Sequence, residues 1–347
     1  MSFPLLRLLA LSLALVSVLV GQAPATPVAP ATPVAPADPA AAAPTAAIPL
    51  TGSKRQAPEQ KPVYDEKADA KQDVAAALVR AKRENKRVLI QWGANWCGWC
   101  KWLAGTMKSD RQVARTLNYE YEVVHVDVGR FDKHLDLAKE LGAEFKAIPF
   151  LTVLDADGKA LAQQNTEPFE AKIDGKDGHD PKKFDAFLKQ HAATALVASD
   201  VMQAAQALAK QENKRVFLHF GAPWCGWCHR LEDWMRRPEI AAILSKEFVD
   251  CKIDTDRMTG GQAMLDGYRK DAGLTEGGGI PWFVFRDADG KVLAHSEGPK
   301  GNTGFPYQPE EVAHFATMLK AARLHLTDAD IEAMQASLNA IRAADTK

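Results

Sequence analysis

Cysteine is scarce in this sequence, at 5 in 347 residues, far too few for a small domain held together by disulfides. An excess of one charge is missing too, since 43 Lys and Arg stand against 44 Asp and Glu. A net charge of −1 leaves no electrostatic footprint for nucleic acid and no polybasic case for a membrane surface. A long apolar run is also lacking. The uncharged stretch Leu8–Val20 would make about 20 Å of helix, short of the roughly 30 Å hydrocarbon core of a bilayer. What is present is 46% hydrophobic and 25% charged residues, ordinary for a chain that buries real cores. At roughly 150 residues per domain the length predicts about two domains.

Arg7 ahead of the apolar run and Ala23-Pro24-Ala25 after it read 1–25 as a signal peptide or an N-terminal anchor. No cysteine follows that run, which excludes a lipid anchor on Cys. Either reading sends the chain out of the cytoplasm, periplasmic or secreted, with membrane contact only through an uncleaved N-terminal segment. Residues 26–63 read as a disordered Pro/Ala-rich linker, with Ala-Thr-Pro-Val-Ala-Pro repeated at 25–30 and 31–36. Such a segment buries too little apolar surface to offset its ordering entropy.

The rest repeats itself. Asn85–Leu103 and Asn213–Leu231 align without gaps at an offset of 128, with 12 of 19 positions identical. Ala147-Ile148-Pro149 through Lys159 matches Gly279-Ile280-Pro281 through Lys291 at an offset of 132. The period is too long for a solenoid and points to tandem duplication of one domain. Each copy reads as a helix (67–85; 200–213), a short buried strand (88–92; 216–220), a Cys motif opening an amphipathic helix, and a second strand (123–128; 248–253). A helical stretch, an Ile-Pro strand ending in Asp-Ala-Asp-Gly, a hairpin strand and a last helix follow. Asp180-Pro181 opens that last helix in copy one, and Gln308-Pro309 does so less ideally in copy two. This order predicts an α/β architecture with a mixed sheet and helices on both faces. The expected boundaries are 64–192 for domain one, 198–325 for domain two and 326–347 for a C-terminal helix. Thr327 and Asp330 resemble a capping box there, and Ile331, Met334, Leu338 and Ile341 form a stripe that should dock on domain two.

Four of the cysteines lie in two copies of Trp-Cys-Gly-Trp-Cys. At a strand-to-helix junction the first Cys meets unpaired N–H groups and the positive end of the helix dipole, which favour a thiolate. Two intervening residues bring the second sulfur within disulfide reach. On this reading Cys97 and Cys225 are nucleophiles and Cys100 and Cys228 resolve the mixed disulfide. Two ligand readings compete. Paired Cys-x-x-Cys can bind zinc, but the pairs lie in separate copies and lack nearby third and fourth ligands. Cys225–His229 is a c-type haem string, but copy one has Lys101 at the position of His229.

Trp-Cys-Gly-Trp-Cys after a buried strand, with Ile-Pro about 50 residues on, resembles the thioredoxin family. The resemblance covers roughly 65–192 and 198–325. It implies two tandem thioredoxin-fold domains, no cofactor and no metal, and cis peptide bonds before Pro149 and Pro281 facing the Cys pairs. Trp96 and Trp224 match the family's tryptophan before the first Cys. Trp99, Trp227, Ile148 and Ile280 join them and the two prolines as expected substrate contacts. A thiol–disulfide oxidoreductase of reductase or isomerase type follows, acting on protein thiols and disulfides and served by an unidentified upstream redox partner. A thioredoxin-like binding or chaperone module with little catalysis is the alternative.

The sequence departs from the family in three ways. Trp99 and Trp227 stand where thioredoxin has Pro. Six residues before the first Cys, the family's buried Asp is replaced by Gln91 and His219, so a carboxylate beside the resolving thiol is expected to be absent, with His219 a candidate acid/base. Gly277-Gly278-Gly279 precedes Ile280-Pro281, predicting a more mobile loop in copy two. Two non-equivalent sites are therefore expected. Cys251, alternating with Ile253 along its strand, reads as buried apolar filler. Residues 174–180 read as a polar loop, and Asp155–Gly158 as a turn.

Overall fold

The structure, a computed structural model, describes residues 62–173, 175–274 and 278–346. The signal or anchor expected over 1–25, and all but the end of the linker expected over 26–63, lie outside the described residues.

Helix α1 (Ala70–Glu84) starts where the Asp69 carboxylate accepts from the N–H groups of Lys71 and Gln72, and it ends at Asn85 in the left-handed region. Strand β1 (Arg87–Gly93) follows. The expected single amphipathic helix is two, α2 (Gly98–Ser109) and α3 (Arg111–Glu120). Asp110 ends the first and caps the second, its carboxylate accepting from Gln112 and Val113. Strand β2 (Tyr121–Asp127), helix α4 (Leu135–Glu140) and strands β3 (Phe150–Leu154) and β4 (Ala160–Asn165) come next. Strands β5 (Glu170–Ile173) and β6 (Lys176–His179) then form a hairpin before α5 (Pro181–Gln190). The polar loop read over 174–180 is thus corrected: most of it is the β6 edge, and His179 is buried beneath Trp99. The alternation there is too short and too polar to signal a strand.

The second half repeats the order. It contains α6 (Ala198–Glu212), β7 (Arg215–Gly221), α7 (Gly226–Met235), α8 (Pro238–Glu247), β8 (Phe248–Asp254), α9 (Gly261–Asp271), β9 (Trp282–Arg286) and β10 (Val292–His295). A two-strand ladder, β11 (Glu297–Gly298) with β12 (Gly301–Asn302), precedes α10 (Pro309–Ala322) and α11 (Asp328–Asp345). Pro238, with no N–H to donate, separates α7 from α8.

The sheet orders match, β2-β1-β3-β4 and β10-β9-β7-β8. The central strand runs parallel to one neighbour and antiparallel to the other in each. Strand alternation explains how both faces become dry. Val88, Ile90 and Trp92 pack under α1 and α4, whereas Leu89, Leu151 and Val153 pack under α2, α3 and α5. In the second sheet Val216, Leu218 and Phe220 face α6 and α9, and Phe217, Phe283 and Phe285 face α7, α8 and α10. The capping box at Thr327 and Asp330 forms as read, and Ile331, Met334 and Leu338 enter the core under Trp234 and Phe315. Cys251 lies in the α6-side core, its thiol pushed up to about 12 by burial and by the neighbouring Asp250 charge, so it is an inert filler as expected. Among the described residues no helix is long and apolar enough to cross a membrane.

Charged side chains knit the two halves. Arg257 donates to the carbonyls of Glu84 (2.7 Å) and Asn85 (2.8 Å) at the C-terminal end of α1, and to the Glu120 carboxylate (2.9 Å). A cation there meets carbonyls that the helix leaves unpaired. Lys252 Nζ pairs with Glu84 at 2.6 Å. Burial works against the Glu84 charge, but Lys252 and Arg83 outweigh it and bring its carboxyl down to about 2. A carboxylate depressed in the folded state stabilises fully above its ordinary value of 4.5 and loses that contribution as pH falls towards about 2. Between those pH values the seam around Glu84 should therefore loosen. Hydrogen exchange at β8 and α1 should speed up in that window, and a Glu84→Gln chain should show no such step.

Candidate active sites

Each Cys-x-x-Cys sits where a central strand hands over to a helix. Cys97 is the N-cap of α2 and Cys225 that of α7, and each sulfur accepts the N–H of its partner cysteine at 3.1 Å. Disulfides join Cys97 to Cys100 and Cys225 to Cys228, with Cα atoms 5.3 and 5.2 Å apart. The four sulfurs thus close as two separate pairs. Ile148–Pro149 and Ile280–Pro281 are both cis. Their Ile carbonyl oxygens stand 3.6 Å from Cys97 Sγ and 3.4 Å from Cys225 Sγ. The cis prolines therefore face the Cys pairs, as the resemblance implied. A missing N–H at proline leaves nearby backbone free to pair with an incoming peptide.

The cysteines themselves are nearly closed off, whereas Trp96, Trp224 and Trp227 are 47, 61 and 51% exposed. Trp96 donates from Nε1 to the Gly129 carbonyl at 2.7 Å, with the Arg130 guanidinium over its ring. Trp224 donates to Asp256 at 3.0 Å, and Tyr119 of α3 donates to the same carboxylate at 2.7 Å. The first half thus braces the rim of the second site. Trp227 lies against Phe305, Tyr307 and Arg230. Trp99 is only half-buried, meeting Trp102 and the His179 ring edge-on. Burial brings His179 down to about 4, so it is neutral near pH 7.

Behind the sulfurs the two sites differ. Gln91 Nε2 donates to the Cys100 carbonyl at 3.0 Å. His219 is buried and its Nε2 meets the Asp250 carboxylate at 2.9 Å, which gives it a structural partner. The expectation that no carboxylate lies beside a resolving cysteine is corrected in the second site. Glu232, one turn along α7 from Cys228, is 6% exposed and pairs with Lys252 Nζ at 2.8 Å. A Cβ on Gly221 would stand 3.4 Å from Cys228 Sγ and 3.9 Å from Glu232 Oε1. Burial works against the Lys252 ammonium, but Glu232 and Glu84 overcome it and hold it above its usual range. The helical spacing of Cys228 and Glu232 was a usable signal. Lys252 faces His219 across the β7–β8 ladder, and His125 faces Gln91 in the first half. Burial and Lys108 bring His125 down to about 4.

In the first site a residue that sequence reasoning missed fills the same region. Tyr64 is fully buried against Cys97 and Cys100, with Val63, Trp99 and Ile148 around it. Nothing local marks it, because it reaches the site from far outside the motif. Ahead of Pro281, the described glycines Gly278 and Gly279 have hydrogen-bonded carbonyls. Arg269 donates to the Gly278 and Gly279 carbonyls at 2.9 and 2.8 Å, and Asn302 to Gly279 and Pro281. Gly277 lies outside the described residues.

A thioredoxin-like family model matches residues 69–156, and a second, named Thioredox_DsbH and described as a protein of unknown function, DUF255, matches 181–341. Protein disulfide-isomerase erp38 of Neurospora crassa is 28% identical over 187 residues, covering 51% of this chain and 46% of that protein. Protein disulfide-isomerase tigA of Aspergillus niger is 27% identical, covering 51% and 47%. The chain thus spans about half the length of these curated relatives. The solved disulphide isomerase of Xylella fastidiosa Temecula1 is 29% identical, covering 38% of this chain and 98% of that one, with a TM-score of 0.31.

Proposed function

We propose that the chain is a thiol–disulfide oxidoreductase of the thioredoxin family, exchanging disulfides with protein substrates at both Cys-Gly-Trp-Cys sites, a reading supported by the thioredoxin-like model over 69–156. One observation carries the reading: each first cysteine caps a helix N-terminus directly opposite a cis-Ile-Pro carbonyl. The relatives named protein disulfide-isomerase support it. Arg7 followed by the uncharged run Leu8–Val20 supports a location outside the cytoplasm, with the protein free or anchored by that segment.

The chemistry follows from the geometry. In the reduced protein the helix end stabilises the Cys97 or Cys225 thiolate. That sulfur attacks a substrate disulfide, and one substrate sulfur leaves with the electron pair and takes up a proton. Cys100 or Cys228, as thiolate, then attacks the first cysteine. The bond to substrate breaks, the internal disulfide forms, and the second substrate sulfur leaves and is protonated. The substrate gains two electrons and two protons, and a dithiol donor must return two electrons to the protein. The exposed Trp96, Trp224 and Trp227, with Ile148, Pro149, Ile280 and Pro281, form the ground on which the substrate backbone lies. Those exposed rings also suit a binding module, and a chain with all four cysteines changed to Ser separates the two: retained function favours binding. The enzymatic reading is tested by trapping. Cys100→Ser and Cys228→Ser chains should accumulate substrate adducts at Cys97 and Cys225, seen as mass shifts on non-reducing peptides. Unmodified cysteines in both chains after exposure to substrate disulfide contradict it.

A further inference from the structure

We propose that Tyr64, from the segment ahead of the first helix, is the hydrogen-bond donor to Cys100 when the Cys97–Cys100 bond is open, a role that rests on the redox reading above. The two atoms crowd one point. A Cβ on Gly93 would overlap the Tyr64 phenol and stand 2.9 Å from Cys100 Sγ. Glycine at position 93 is what lets the ring approach so closely. In the bridged form the Tyr64 hydroxyl is wholly buried, with no hydrogen-bond partner among the described residues. An unpaired buried hydroxyl carries a desolvation penalty, while a free thiol or thiolate beside it would relieve that penalty.

The position of Tyr64 is fixed from outside the ring. Its backbone N–H donates to Asn95 Oδ1 at 3.1 Å, and Asn95 Nδ2 donates back to its carbonyl at 2.9 Å. Asn95 also donates to Glu66, so the segment is clamped onto the residue just before the Trp-Cys motif. The groups facing the phenol from β2 and beyond are the edge-on His125 ring, neutral near pH 7, and Asp127, itself paired with Lys133. Burial, with the Asp127 charge second, drives the phenol far above its ordinary value, so it holds its proton throughout the working range. It is therefore a donor and never a base.

The second site solves the same place differently. There the carboxylate of Glu232 lies beside Cys228, whereas the aligned position in the first half is Ala104. A carboxylate disfavours a neighbouring thiolate, and a phenol donor favours one. In the resolving step Cys100 thiolate attacks Cys97, the Cys97–substrate bond breaks, and the departing sulfur takes its proton from solvent. Tyr64 gives up no proton. It loses its acceptor when the internal disulfide closes, so it stabilises the reduced form and makes this pair more oxidising.

The test uses the full chain with Cys225→Ser and Cys228→Ser, so that glutathione equilibration reports the first pair alone. Adding Tyr64→Phe, which keeps the ring, should shift the equilibrium about tenfold towards the disulfide, ~30 mV more reducing. It should also raise the pH at which Cys100 alkylates in a Cys97→Ser chain. In the reverse background, with Cys97→Ser and Cys100→Ser, the second pair should move less than about twofold. A first pair that equilibrates normally but has the same constant with Phe overturns the proposal and leaves the redox reading intact. A pair that never equilibrates in either chain overturns the redox reading itself. Should the Phe chain fail to fold, 3-fluorotyrosine at 64, a stronger donor, should make the pair more oxidising; an unchanged constant overturns the proposal.

Discussion

Changing Cys97 and Cys225 together to Ser should remove protein-disulfide reduction by at least about 10³-fold, because a hydroxyl cannot replace the thiolate at either helix end. Each single change should leave the other site turning over. The two remaining activities should differ, since Cys100 faces a phenol and Cys228 faces a carboxylate–ammonium pair. The difference is best read as initial rates of insulin disulfide reduction across pH 6 to about 9, a span that covers ordinary thiol titration. Equal profiles from the two single variants would contradict the non-equivalence drawn here. Activity surviving in the double variant would remove the nucleophile assignment.

The second large effect is expected far from either sulfur. Arg257→Ala should destabilise the chain by about 3 kcal/mol, the scale for breaking one side of a largely buried ion pair. Its side chain is 9% exposed and satisfies the carbonyls of Glu84 and Asn85 together with Glu120. All three would be left without that partner. The loss should fall on the seam, so urea unfolding that is a single transition in the parent chain should split into two. A single, unshifted transition would mean the seam contributes little. Because Tyr119 and Trp224 share Asp256 just beside this arginine, the variant should also slow the second site more than the first.

Much of this architecture is written in short stretches of sequence. Near-continuous apolar runs at Val88–Trp92 and Val216–Phe220 mark strands buried on both faces, and the Thr327 box marks the last helix. Cys97 and Cys225 declare themselves because strand, Gly-Ala turn and helix start all lie within one short window. The split at Asp110 was harder, because an acidic residue inside an amphipathic run reads as solvated surface until its carboxylate is seen accepting from the next helix. The strands of the β5–β6 hairpin are only four residues long, too short to establish a period. The seam is silent for a different reason. Glu84, Glu120 and Arg257 look like any surface charges, and only the meeting of distant helices pairs them. Tyr64 is the extreme case, a single aromatic in a polar stretch, brought to Cys100 by Asn95 rather than by any periodic pattern.

The central claim is that both cysteine pairs cycle between bridged and free forms. Alkylation followed by peptide mass mapping, across glutathione buffers poised over the span from about −270 to −120 mV that this chemistry covers, tests it most directly. Two complete transitions with separate midpoints are expected, the Cys97–Cys100 pair being the more oxidising. A pair that stays bridged, or stays free, at every poise would contradict it for that site, and two such pairs would leave the fold without the activity assigned to it.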